Sequence, residues 1–156
     1  MAWSNSKIFR PMLADALGNV TALDFDADAF KVALFDNTIT PNQDVTAANS
    51  AYGAGVWASG GVSDATGWPA AGRTLASQTL DSATAATVFF DAADTVSANS
   101  TTTLSGTHGC LVYDDTLTTP VADQGASFNY FGGTQSVTSG QFTIVWHSNG
   151  LFRFTL

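Results

Sequence analysis

The chain has 156 residues, of which 45% are hydrophobic and only 12% charged, and its formal net charge is −8. A chain of this length buries about 68–70% of its unfolded surface, so one core suffices and no disulfide or metal staple is required. Thirteen acids against five Lys and Arg exclude the clustered positive surface that phosphate binding needs, and with it nucleic acid as a partner.

At the start of the chain no basic region leads into an apolar run, and no later stretch approaches 18 uninterrupted apolar residues. Neither secretion nor membrane insertion is expected. Residues 1–6 read as a flexible arm. From Lys7 to Leu17, Ile8, Phe9, Met12, Leu13, Ala16 and Leu17 form one apolar stripe at helical spacing, which predicts a short amphipathic helix. Ser6 is a possible cap, but Pro11 lacks an N–H and favours a first turn nearer Arg10; Gly18 and Asn19 stop the helix.

From Phe30 the period changes to two. Phe30, Val32 and Leu34 alternate with Lys31, Ala33 and Phe35, and a strand follows. Residues 36–72 are rich in Gly, Ser, Asn and Ala and read as a long interaction loop region, with an edge strand around Val56 to Ala58. Val88 and Phe90 flank Phe89 in another strand. Residues 92–107 are again polar and loop-like, and Leu111 to Tyr113 form a short buried run beside Cys110, a lone cysteine read as a small buried hydrophobe. One cysteine allows no intrachain disulfide, which fits a protein assembled inside a cell.

Two alternating runs, Gln141 to His147 and Leu151 to Leu156, flank Ser148, Asn149 and Gly150. A three-residue turn would set Trp146 opposite Phe152, Ile144 opposite Phe154 and Phe142 opposite Leu156, giving one apolar face. A two-residue turn would mix the faces, so the three-residue hairpin with Gly150 left-handed is predicted. The expected fold is a single mostly β domain over residues 1–156, an antiparallel β-sandwich or a barrel, with one short N-terminal amphipathic helix.

Every acid is Asp and none is Glu. Asp belongs in turns, where its carboxylate bonds the neighbouring backbone. Asp24, Asp26 and Asp28 resemble the start of a calcium loop, but the sixth position is Ala29 and the twelfth Phe35 where Gly and Glu are needed. An acidic turn is the better reading, and no metal is assigned. His108 and His147 lie in no ligand spacing. No G-x-S-x-G elbow is present, and Gly53, Gly55, Gly60 and Gly61 lack the lysine of a nucleotide loop. No catalytic residue is assigned, and the chain reads as no enzyme, with no cofactor. Six residues stand out as candidate partner contacts. Trp3, Lys7 and Arg10 make a cationic and aromatic N-terminal end, and Tyr52, Trp57 and Trp68 are aromatics in a polar region, suited to stacking on a sugar or anchoring a protein.

Six segments, in their order, resemble a family of small virion structural proteins of tailed phages, of the capsid-decorating or auxiliary head type. They are Lys7–Leu17; Leu23–Asp26 followed by Phe30–Leu34; Thr66–Leu75; Thr87–Ala92; Cys110–Asp114; and Gly140–Trp146 before Gly150 and Leu151. Residues 36–65 and 93–107 lie outside the resemblance. It implies a protein made in the host cytoplasm that ends on the particle exterior and binds the major capsid protein and neighbouring copies of itself. A decoration or cement protein of this kind stabilises the assembled shell through many weak contacts. A tail or head-tail connecting component, and a glycan-binding adhesion module, are the alternative expectations.

Overall fold

The computed structural model describes residues 3–82 and 86–156. Among them the fold is mostly β, built from antiparallel sheets packed in a sandwich-like arrangement with a short N-terminal helix. The largest sheet runs β1 (Lys7–Ile8), β9 (Gly125–Gly140), β8 (Thr102–Asp114), β2 (Phe30–Phe35) and β3 (Gly61–Val62), and β4 (Arg73–Thr74) also pairs with β2. A second sheet has the order β11 (Phe152–Thr155), β6 (Thr87–Asp91), β5 (Thr79–Asp81), and a two-stranded ladder joins β10 (Thr143–Ile144) to β7 (Thr95–Val96).

Strand β2 is the centre of the molecule because both of its faces are covered. Of its six residues only Lys31 is not fully buried, and its ammonium lies 2.8 Å from the Asp115 carboxylate. Two aromatic clusters grow from β2. Phe35 meets Trp57, which packs with Trp3, Phe9 and Phe128. Phe30 meets Phe25 and Phe90, which continue to Phe152 and Phe154 of the second sheet. Positions 30 and 35 differ by an odd number, so on a pleated strand their side chains leave opposite faces.

The helix is α1, Arg10–Leu17, and it begins where Pro11 fits the first turn. Phe9, not Ser6, is its N-cap residue, with no side-chain cap. Ser6 instead accepts a bond from the Tyr130 amide at 3.0 Å, and Lys7 and Ile8, expected in the helix, pair with Phe128 and Ser127 as β1. The helix ends with Asn19 left-handed at φ 53 and the Val20 amide bonded to the Asp15 carbonyl, a Schellman closure. A second helix, α2 (Ala47–Ser50), is a single turn capped by the Thr46 side chain.

Several expectations need correction. The arm expected at 1–6 is tied down from Trp3 onward: Trp3 is 1% exposed and its indole N–H donates to the Asp36 carbonyl at 2.8 Å. Around Val56 to Ala58 the chain is a 3-10 helix, Gly55–Ala58, because left-handed Gly55 coils the backbone and turns Trp57 inward; the edge strand is β3, a few residues on. Residues 92–107 contain β7 and the beginning of β8, whose Thr102 and Thr107 are buried polar residues.

The C-terminal hairpin does not form. Thr143 and Ile144 pair with Val96 and Thr95, whereas Phe152 to Thr155 pair with Phe90 to Thr87. Trp146 is held by β7 and its approach, its amide donating to Asp94 and its indole to Thr95. Gly150 is left-handed at φ 83 as expected, but it feeds β11 toward β6, where a Cβ would lie 2.3 Å from the Phe90 carbonyl oxygen. An apolar alternating run pairs equally well with any apolar alternating strand, so a local pattern cannot select the partner.

Candidate functional site

The six residues singled out in the sequence do not come together on one surface. Trp3, Trp57 and Trp68 are each at most 2% exposed. Trp68 donates its indole N–H to the Val32 carbonyl at 3.0 Å, and Trp57 buries an indole N–H with no acceptor. These rings are core residues, drawn in because a large aromatic contributes most when dehydrated. Half-buried Tyr52 stacks on Tyr113 at 4.9 Å. Lys7 and Arg10 are exposed, and Arg10 forms a 2.9 Å ion pair with Asp44.

The acidic turn is a structural device. Asp24 accepts from the amides of Asp26 and Ala27, Asp28 accepts from the Asp24 amide, and Asp26 reaches across to the Leu80 amide at 2.6 Å. Asp64 organises a second turn, accepting from the amides of Thr103, Gly67 and Thr66 and from the Thr66 hydroxyl. These bonds, with the Thr103 amide first, hold its carboxyl well below the usual carboxylate range.

Asp114 is the one fully buried acid among the described residues. Its Oδ1 accepts from the Thr116 and Leu117 amides, but its Oδ2 has no donor. Burial pushes this carboxyl up to about 7, the Thr116 and Leu117 amides oppose that, and the neighbouring Asp28 carboxyl adds to it. Burial and a neighbouring like charge both favour the neutral form of a carboxyl. Among the described residues no group of three or more His, Cys, Asp or Glu is placed to hold a metal ion. Cys110 is fully buried, and burial pushes its thiol up to about 12, which leaves it unreactive. His108 contacts the Thr134 hydroxyl and stacks on Tyr130, and His147 accepts from the Asn149 amide.

The surface feature left over is apolar. A groove of about 390 Å³ lies between α1 and the second sheet. Met12, Leu13, Ala16 and Leu17 form the helical wall, and Leu80, Val88, Phe152, Phe154 and Leu156 form the sheet wall, with Phe25 between them. Leu17 is 81% exposed and Leu156 89%, unusual for large aliphatic side chains beside an apolar cleft. The helical stripe of Met12, Leu13, Ala16 and Leu17 was visible in the sequence, and so was the alternation of Phe152, Phe154 and Leu156. That the two would face each other was not, because β11 was assigned the wrong partner strand.

No protein-family model, no curated protein and no solved structure matches the chain. Among the described residues no helix is long and apolar enough to cross a membrane.

Proposed function

We propose that this protein is a non-enzymatic structural component of a tailed-phage particle, of the decoration or cement type, that binds the assembled shell in many copies and stabilises it. The observation that carries the binding part of this reading is the apolar groove, because a contiguous exposed apolar face on a small domain marks a protein contact. The particle part rests on the order of the six resembling segments along the chain. The acids support the same reading: Asp24, Asp28 and Asp64 hold turns, and a net charge of −8 keeps free copies apart before assembly. The glycan reading loses its platforms, since Trp57 and Trp68 are buried and Tyr52 is covered on one face by Tyr113.

The test is the copy number in purified particles, by mass spectrometry against the major capsid protein. Hundreds of copies, with shells less resistant to heat when the protein is missing, are expected. A few dozen or fewer would move it to the tail or the connector, and none would overturn the reading.

A further inference from the structure

We propose that the seam between the acidic turn, residues 24–29, and the connection that follows β8 is a latch, closed while Asp114 carries its proton and opened when that proton leaves. The latch needs no partner and works in the free protein.

Two hydrogen bonds stitch the seam. The Asp115 amide donates to the Ala29 carbonyl at 2.8 Å, and the Ala29 amide donates to the Thr116 hydroxyl at 2.7 Å. Ala29, Asp115 and Thr116 are exposed, whereas Asp114 is fully buried. Its Oδ1 takes the Thr116 and Leu117 amides; its Oδ2 has no donor, and the Asp28 carboxyl is its neighbour. A neutral carboxyl tolerates that position and a carboxylate does not, because a buried charge needs donors or a counter-ion. Lys31 cannot serve. Phe30 pairs with Asp114, so those two side chains share a face, and Lys31, next along β2, leaves by the other face to its ion pair with Asp115. The remaining groups around the seam bring no positive charge. Asp24 and Asp26, on the acidic turn itself, are bonded to backbone amides, and Asp123 lies near Asp115. Asp15 on α1 holds the side chain of Gln124, whose carbonyl takes the Asp114 amide, and the Tyr113 hydroxyl donates to the Ala71 carbonyl.

An ionised Asp114 therefore needs water, and the exposed seam is where water can reach it. Burial pushes the Asp114 carboxyl up to about 7, so the release falls near neutral pH. The acidic turn stays with the second sheet when this happens, because Asp26 accepts from the Leu80 amide and the Gln78 side chain donates to the Phe25 and Asp28 carbonyls. The parting runs between that turn and residues 115–117, and it brings the Asp28 and Asp114 carboxyls into solvent. The opening is local, since the paired core of β2 and β8 lies behind it.

The experiment is amide hydrogen exchange of the full chain, read residue by residue by NMR at about pH 5.5 and about pH 8.5, each rate taken relative to an unstructured amide at the same pH. In the wild type the protection of the Ala29 and Asp115 amides is expected to fall at least roughly tenfold between the two, while that of Val32 and Val112 in the core holds. Asp114→Asn keeps the shape without the charge, and its seam protection should be the same at both pH values. Asp28→Asn, at a half-buried position, removes the neighbouring charge and should shrink the wild-type change; it serves as the test if Asp114→Asn does not fold. Seam protection in the wild type that does not change with pH would overturn the latch. So would an equal loss in Asp114→Asn, an undiminished change in Asp28→Asn, or a parallel loss at Val32 and Val112, which would mean that the whole fold and not the seam responds.

Discussion

The two aromatic clusters on either side of β2 are made from the same residue types and end differently. Around Phe35 the rings of Trp3, Phe9, Trp57 and Phe128 are all at most 3% exposed. Around Phe30 the cluster begins equally dry at Phe30 and Phe90, loosens at Phe152, and opens at Leu17 and Leu156. The first cluster is closed by the chain's own N-terminal segment, with Trp3 laid against Gly109, where a Cβ would come within 2.5 Å of the indole. Nothing among the described residues plays that part for the second. The contrast separates stability from recognition: apolar surface closed by the chain contributes to folding, and apolar surface left open is available to a partner.

Breaking the closed cluster should have the largest effect. Trp3→Ala is expected to cost about 3–5 kcal/mol in urea unfolding, as large-to-small core replacements do. Gly109→Ala follows, at about 1–3 kcal/mol, because the added methyl meets the Trp3 ring and, at 2.6 Å, the Asn129 carbonyl oxygen. Trp57→Phe sharpens the point. The Trp57 N–H bonds nothing whereas that of Trp3 is bonded to Asp36, so Trp3→Phe should be the costlier of the two, by about 0.5–1.5 kcal/mol for the lost bond.

Buried Asp114 gives a pH signature that belongs to neither cluster. Asp114 holds its proton more tightly folded than unfolded, so the folded state binds more protons across the interval from the ordinary carboxylate value of 3.8 up to about 7. Stability from Asp114 is therefore greatest below that interval and declines as pH rises through it. Asp64 has the opposite sign: its carboxyl is held low, so its contribution is present above the ordinary value and is lost as pH falls toward the folded one. Thermal unfolding from pH 4 to 7 should show a downward slope that Asp114→Asn flattens, and Asp64→Ala should lower stability at neutral pH without changing that slope. At the open cluster, Leu17→Gln and Leu156→Gln should each move stability by no more than about 0.5 kcal/mol, the smallest effect of the series.

The mostly β class, the single amphipathic helix ended at Gly18 and Asn19, β2, and buried Cys110 were legible because each is written in a local period or a local stop signal. What failed was partner choice over distance. Gln141 to His147 and Leu151 to Leu156 are suitable hairpin arms by pattern, yet each pairs with a strand more than forty residues upstream, where Thr95 meets Trp146 and Phe90 meets Phe152. The burial of Trp3, Trp57 and Trp68 was hidden for a related reason, since Trp3 is followed by Ser4, Asn5 and Ser6, and Trp57 and Trp68 sit among glycines and small residues, with no apolar period around them. The Asp28 and Asp114 pair joins residues far apart in the chain that meet only because Phe30 is in register with Asp114.

The pairing of β1 with β9 also sets an order of events during synthesis. Ile8 finds Ser127, and Phe9 bonds the Ala126 carbonyl. At a few to about twenty residues per second, the first strand waits on the order of ten seconds for its partner to be made. Until then Trp3 and Phe9 have neither the β9 backbone nor Phe128 to settle against. A nascent chain halted before β9 therefore holds Trp3 and Phe9 without that partner strand, and stays exposed to aggregation until the strand is made.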